Sequence, residues 1–203
     1  MVIITELSLS RSDVKEFIVT DLVGEDIFDF NKIIPLRHDF DIIHSQLTEE
    51  DCKWIRKNWG CEYKPYDLQF TDSSMSFKTI DSSPIPVIKC LSKILKRRIS
   101  VKYASESFEK VGLMVIDRGK VISDFRPVYK SNEAIDIYMS LFNAYDYFYQ
   151  NEDGDWIEKT DEEWGDYEDL DDLNETFDNF DDDFEELDDL DELGFTEFDD
   201  IYT

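Results

Sequence analysis

Histidine, glycine and cysteine are scarce in this sequence, and their scarcity limits its chemistry. The two histidines, His38 and His44, stand in no recognised nucleophile or metal-ligand spacing, and the seven glycines do not cluster into a phosphate-binding loop. The three cysteines, Cys52, Cys61 and Cys90, are an odd number without the spacing of a disulfide framework, which is typical of reduced thiols. We therefore expect no enzymatic activity, no catalytic residues, no metal and no cofactor.

Long hydrophobic runs are also missing. No apolar stretch approaches the ~20 residues that a membrane-spanning helix requires. Residues 1–6 lack the basic leader and cleavage site of a signal peptide. The sequence thus predicts a cytoplasmic protein that does not bind a membrane. With 41% hydrophobic and 14% aromatic residues, it contains enough apolar side chains for a folded core.

Basic residues are nearly absent from the C-terminal quarter. Residues 151–203 contain 26 aspartates and glutamates and one basic residue, Lys159, whereas residues 1–130 contain 20 acidic and 20 basic side chains. The net charge of −28 therefore belongs to the C-terminal segment. Such a segment repels nucleic acid and favours basic partners, so we expect no direct binding of nucleic acid. We predict a body over residues 1–150 and an acidic turn and helix over residues 151–203.

The acidic segment carries a regular apolar pattern. Its apolar residues recur at intervals of three and four, which places them on one stripe of a helix: Leu170, Leu173, Phe177, Phe180, Phe184 and Leu187. Gly194 is placed as a helix C-cap. A disordered, solubilising tail is the alternative, since runs of like charge are often unstructured. An ordered stripe must bury itself on the body, on a partner or on a second copy, so a homodimer is one possibility.

The body reads as an α+β fold with an antiparallel or mixed sheet, because helices alternate irregularly with hairpins. Helices are predicted from Ser12 to Ile18, from Thr48 to Asn58, from Ser83 with Val87, Leu91, Ile94 and Leu95 buried, and from Ser131 with Ile135, Tyr138, Leu141, Phe142 and Tyr145 on one face. Strands are predicted over residues 2–9, 65–71, 75–80, 99–104, 111–116 and 120–125. Residues 27–35 are expected to be extended, and Asp117-Arg118-Gly119 is a strong turn signal.

Several motifs resemble a known family. They are the segment Phe28–Pro35, Asn58-Trp59-Gly60 with Tyr66-Asp67, and Phe77-Lys78-Thr79 followed by Ser83–Val87. In this order they resemble the YubB-type ferredoxin-like domain family of plasmids, phages and other mobile elements, over about residues 27–158. The resemblance implies a ferredoxin-like fold and a mobile-element origin, and it implies no established activity. The chain departs from the family at Glu62–Pro65 and at Ile80-Asp81, and the acidic segment beyond Glu163 lies outside the family pattern.

Two further groups of charged residues have competing explanations. Asn151, Asp153, Asp155 and Glu162 follow the spacing of a calcium-binding loop, but Trp156 stands where that loop needs glycine. The only basic cluster is Lys89, Lys93, Lys96, Arg97, Arg98 and Lys102. It is either a solvated helix face, a nucleic-acid footprint or a docking site for the acidic segment.

The charge density of the acidic segment suggests a mimic of nucleic acid. Residues 161–192 contain 19 carboxylates in 32 residues, which in a helix gives roughly one charge per 2.5 Å, against one per ~1.7 Å for duplex DNA and ~3.4 Å for each strand. We therefore predict a phage- or plasmid-encoded anti-defence protein in the host cytoplasm. Its acidic helix would occupy the surface of a basic nucleic-acid-binding host protein, such as a restriction or CRISPR enzyme. The residues predicted to replace phosphates are Asp171, Asp172, Asp178, Asp181, Asp182, Glu185, Asp188, Asp189 and Glu192, with Phe177, Phe180 and Phe184 as anchors.

Two alternatives use the same charges differently. In the first, the body binds nucleic acid through Lys89, Lys93, Lys96 and Arg97, and the acidic tail inhibits that binding. In the second, the chain is an immunity protein for a basic toxin. A chain truncated near Asp155 distinguishes the first alternative from mimicry. If the tail inhibits the body, the truncated chain should gain nucleic-acid binding. If the tail is a mimic, the truncated chain should lose its inhibition of the host enzyme.

Overall fold

The computed structural model describes residues 1–21, 24–36 and 48–160. The chain divides into two compact units, Met1–Lys159 and Thr160–Thr203. The first unit has the predicted α+β architecture, and the second lies outside the described residues apart from Thr160. The predicted C-terminal helix, together with His38 and His44, therefore falls outside the described part of the chain.

Six strands of the first unit form one antiparallel sheet, so the sheet is antiparallel rather than mixed. In chain order these strands are β1 (Val2–Leu7), β4 (Tyr66–Phe70), β5 (Met75–Ile80), β6 (Arg98–Ser105), β7 (Val111–Asp117) and β8 (Lys120–Phe125). Their order across the sheet is β4-β5-β1-β6-β7-β8. Two short hairpins accompany the sheet: β2 (Ile18–Thr20) with β3 (Asp26–Phe28), and β9 (Phe148–Gln150) with β10 (Trp156–Glu158).

Four α-helices occur among the described residues: α1 (Arg11–Val14), α2 (Glu49–Asn58), α3 (Ile85–Leu95) and α4 (Asn132–Phe142). α2 begins where its sequence signal lies, because the Thr48 side chain accepts a hydrogen bond from the Asp51 backbone N–H at 3.2 Å. In return, the Asp51 carboxylate accepts from the Thr48 backbone N–H at 3.0 Å, which completes a capping box. Ser131 caps α4 in the predicted position by accepting from the Ala134 N–H.

The sheet has helices on both faces. Val101 and Tyr103 belong to the main core, which also contains Leu91 of α3, whereas Ala104 belongs to a second cluster with Ile137 of α4. Because successive residues of a strand point to opposite faces, α3 and α4 cover opposite sides of the sheet. Across the described residues, no helix is long and apolar enough to cross a membrane.

The aromatic residues of the Phe28–Pro35, Asn-Trp-Gly and Phe-Lys-Thr motifs form the centre of the main core. Phe28, Phe30, Trp59 and Phe77 are each at most 1% exposed. The ring centroids of Phe28 and Phe30 are 5.5 Å apart, and those of Phe30 and Trp59 are 5.7 Å apart, both edge-to-face. The Trp59 indole N–H donates to the Ile34 carbonyl at 3.0 Å. These motif residues therefore have a structural role.

Three local predictions were wrong. The first short helix starts after Ser10 rather than at Ser12. The segment 27–35 is not extended throughout, because residues 30–32 form a 3₁₀ turn in which the Asn31 N–H donates to the Asp29 carboxylate at 2.9 Å. On α3, Ile94 is 47% exposed and Ser92 is fully buried, the reverse of what hydrophobicity predicts. Ser92 is buried because its hydroxyl donates to the Arg97 carbonyl at 2.7 Å and so joins α3 to β6.

Candidate functional site

The residues predicted to bind the partner cannot be placed in the fold. Phe177, Phe180, Phe184 and the nine phosphate-replacing carboxylates all lie beyond residue 160, outside the described residues. The described unit does offer a charged site of its own. It is formed by basic side chains at one end of the sheet, where α3 ends and the β7–β8 turn is found.

The first part of this site is the C-terminal end of α3. Lys93 is exposed and Lys89 is half-buried along this helix. The helix ends at Lys96, which adopts the left-handed conformation at φ 52° and donates its backbone N–H to the Lys93 carbonyl. The left-handed residue turns the chain directly into β6, so that Lys96 and Arg98 lie beside the helix end.

The second part is the β7–β8 turn, which lies at Arg118 and Gly119 as the sequence predicts, although its contact with α3 was not predicted. Arg118 and Gly119 both have positive φ, 48° and 83°, as a type I′ turn requires. A Cβ atom on Gly119 would lie 3.2 Å from the Lys89 carbonyl oxygen and 3.3 Å from the Lys93 Cβ. The Gly119 N–H also donates to the Ser92 hydroxyl at 3.3 Å. The turn therefore packs directly on α3, which brings Arg118 next to the helix lysines.

Strand register adds the last members. Arg98 is paired with Asp117, and Asp117 is paired with Lys120, so Arg98 and Lys120 flank the same residue at the ends of β6 and β8. Because Arg98 alternates with the core residue Ile99, these two side chains lie on the α4 side of the sheet, and the cluster extends around the end of the sheet from the α3 side. We call Lys89, Lys93, Lys96, Arg98, Arg118 and Lys120 the basic cluster. With Asp117 among them, the cluster has a net charge of +5.

Two residues of the predicted basic group do not belong to it. Arg97 pairs with Asp13 of α1. Hydrogen bonds from Ser10, with Arg97 nearby, hold the pKa of the Asp13 carboxyl below its usual value despite the opposing effect of partial burial. Lys102 pairs with Glu6 at 3.3 Å and contacts the Ser140 hydroxyl of α4 at 3.4 Å, so its charge is already compensated. The spacing along the sequence could not separate these two residues from the other four.

Most cations elsewhere in the described unit are paired with carboxylates, whereas those of the basic cluster are not. Nine basic side chains outside the cluster form ion pairs, among them Arg56 with Glu62 and Lys78 with Asp67 at 2.7 Å. The six cluster residues make no ion pair within residues 1–21, 24–36 and 48–160. Five of them are exposed and Lys89 is half-buried. Such a surface attracts polyanions.

A cleft of about 390 Å³ lies at the other end of β7 and is less suited to charged ligands. Its cations are Lys110 and Arg126, but Lys110 donates to the Asp81 carbonyl at 2.6 Å and Arg126 pairs with Asp124 at 2.9 Å. Burial raises the pKa of the Tyr103 hydroxyl that also lines the cleft. Both cations are therefore already bonded within the protein, and the cleft presents little uncompensated charge to a ligand.

The calcium-like loop is organised by hydrogen bonds within the protein. The Asn151 side chain accepts from the backbone N–H groups of Asp153 and Asp155 at 3.1 and 2.8 Å, and the Asp155 carboxylate accepts from Asn132 at 3.1 Å. Asn151 is thus committed to closing the β9–β10 turn. Within residues 1–21, 24–36 and 48–160, no group of three or more His, Cys, Asp or Glu could hold a metal ion. Glu162 lies outside that part of the chain.

Comparison with known proteins identifies no family. No family model matches the chain, and no curated protein matches it significantly. The chain is similar to one solved structure, a protein api92 from Yersinia pseudotuberculosis of family DUF1281, at 16% identity and a TM-score of 0.41. The match covers 49% of this chain and 39% of that one, so the chain spans well under half the length of the api92 protein. A likeness at this level carries no argument about fold or function.

Proposed function

We propose that this protein is a non-enzymatic anti-defence protein encoded by a phage or plasmid. In this proposal a ferredoxin-like body of the YubB type carries the acidic segment, which binds the nucleic-acid-binding surface of a host restriction or CRISPR enzyme. The observation that carries the proposal is the segregation of charge between the two units. Residues 1–159 contain 27 acidic and 21 basic side chains, whereas residues 160–203 contain 22 acidic and no basic ones.

This segregation supports mimicry because it matches what a nucleic-acid channel recognises. A channel lined with lysine and arginine binds phosphates mainly through charge, and the carboxylates of residues 161–192 approach the charge density of DNA. Association would be steered by long-range attraction and would weaken as salt screens it. An immunity protein for a basic toxin would use the same segment, and the identity of the neutralised enzyme distinguishes the two.

A neutralised variant tests the proposal without removing any residue. In this variant, which we call tail-neutralised, the nine phosphate-replacing positions between Asp171 and Glu192 become Asn or Gln. The matched control changes the seven aspartates among them to glutamate, which keeps every charge. Bacteria that carry a restriction or CRISPR system are then challenged with phage while they express each protein. We expect wild type and the glutamate control to restore phage plating, and the tail-neutralised chain to lose most of this protection.

A truncation provides the second arm. Because β10 pairs with β9, and the Lys159 N–H donates to the Tyr147 carbonyl, the truncated chain should end after Thr160 rather than near Asp155. It should unfold cooperatively and give no protection. Full protection by the truncated or the tail-neutralised chain would rule out the proposal. Protection against nuclease toxins alone would favour the immunity alternative.

A further inference from the structure

We infer that the basic cluster is a separate binding site for the phosphate backbone of a nucleic acid. This inference does not depend on the acidic segment acting as a mimic. It also departs from the expectation, drawn from net charge, that the chain avoids nucleic acid. The six cations come from two stretches of the sequence, residues 89–98 and 118–120, and the fold places them at one end of the sheet.

The stability of α3 does not explain the whole cluster. Cations at the C-terminal end of a helix interact favourably with its dipole, so Lys93 and Lys96 have a structural role there. Arg98, Arg118 and Lys120 are not on a helix. Placing like charges together is unfavourable unless an anion compensates them. Nine other basic side chains of the unit pair with carboxylates, whereas the unpaired Lys15, Lys57 and Lys64 occur singly in different parts of the described chain. Six unpaired cations grouped at one end of the sheet therefore indicate an anionic ligand.

The chemistry of the cluster fits phosphates in particular. Two guanidinium groups, those of Arg98 and Arg118, can each donate two hydrogen bonds to one phosphate, and the lysines add point charges around them. The cations lie along α3 and at its end, in the β7–β8 turn, and at the ends of β6 and β8 on either side of β7. Hydrogen bonds of Ser92 to the Arg97 carbonyl and from the Gly119 N–H hold α3 against these segments. Contacts of this kind position a nucleic-acid backbone without reading its sequence. We therefore expect binding that depends strongly on salt and weakly on sequence.

The test compares two triple variants with equal charge. The cluster variant carries Lys93→Gln, Arg118→Gln and Lys120→Gln. The control variant carries Lys15→Gln, Lys53→Gln and Lys57→Gln, which are exposed lysines outside the cluster. Both are made in the full chain and in the tail-neutralised chain, whose acidic repulsion is reduced. Binding is measured by fluorescence anisotropy with a 20-base-pair duplex and a 20-nucleotide single strand at several salt concentrations.

The expected result follows from counterion release. Six phosphate contacts give a slope of log K against log salt of about −5 on duplex DNA and about −4 on a single strand. In the tail-neutralised chain, the cluster variant should halve this slope and weaken binding by about 100-fold or more in ~0.1 M salt. The control variant should leave both quantities within about twofold of its parent.

Two outcomes would overturn the inference. One is the absence of binding to either probe by the tail-neutralised chain at about 0.05 M salt. The other is equal binding by the cluster and control variants. A third arm uses a synthetic peptide of residues 161–203 as the ligand. If the cluster variant weakens binding of that peptide but not of DNA, the site is for an acidic protein segment and the inference is wrong.

Discussion

Replacing Gly119 by alanine tests whether the β7–β8 turn is held against α3. Gly119 and Gly154 have the same φ of 83°, but a Cβ on Gly154 meets no atom within 4 Å, whereas one on Gly119 meets the Lys89 carbonyl at 3.2 Å. Left-handed backbone costs a non-glycine residue about 1–2 kcal/mol. We therefore expect Gly154→Ala to lower the free energy of unfolding by about 1–2 kcal/mol. Gly119→Ala should lower it by about 1–3 kcal/mol more, the range for overpacking a close contact.

Urea unfolding followed by tryptophan fluorescence measures the difference between these variants. Both should keep the wild-type m-value, because neither changes the surface exposed on unfolding. Gly119→Ala should also weaken duplex binding by the tail-neutralised chain, since it displaces Arg118 from the helix lysines, and Gly154→Ala should not. Equal destabilisation by the two substitutions would show that the turn does not pack on α3. The basic cluster would then lose its geometric basis.

The remaining predictions concern a buried thiol and an ion pair. Burial raises the pKa of the Cys61 thiol to about 12. Because the thiolate is the reactive form, a disulfide reagent at about pH 8 should modify Cys61 in the native protein after Cys52 and Cys90. Early modification of Cys61 would contradict its burial. A hydrogen bond from Lys78 lowers the pKa of the Asp67 carboxyl from its ordinary value of 3.8. The pair therefore stabilises the fold above that value and ceases to do so as the pH falls through the lowered pKa. Acid unfolding of an Asp67→Asn variant should lose this part of the pH dependence, and an unchanged acid profile would show that the pair contributes nothing.

Much of the fold could be predicted because its signals are local. The caps at Thr48 and Ser131, and the alternation in Met75–Ile80, depend on residues close in sequence, and the structure confirms all three elements. Prediction failed where a distant partner decides the outcome. Ser92 is buried because the Arg97 and Ile116 carbonyls accept its hydroxyl hydrogen, and no helical pattern of apolar residues records those partners.

The candidate site shows the same division. The sequence identified the lysines of α3 and, separately, the turn that contains Arg118, but nothing local indicates that this turn packs on that helix. The glycine at position 119 predicts a tight type I′ turn, in which two successive residues have positive φ. It does not predict which element the turn packs on. Arg97 is excluded from the cluster by its ion pair with Asp13, which lies over 80 residues away in sequence.

The acidic segment and the basic cluster have opposite charge, so an experiment can refute one of the two proposals without refuting the other. At physiological salt, exposed charges are screened beyond about 8 Å. The net charge of −28 therefore does not decide whether a local cluster of +5 binds a phosphate backbone. Neutralising the nine carboxylates should abolish protection and should not weaken nucleic-acid binding. Neutralising Lys93, Arg118 and Lys120 should weaken nucleic-acid binding by about 100-fold or more and leave protection intact. If the lysine and arginine substitutions also abolish protection, the cluster must contact the same complex as the acidic segment, and the inhibited enzyme would then be bound together with its nucleic acid.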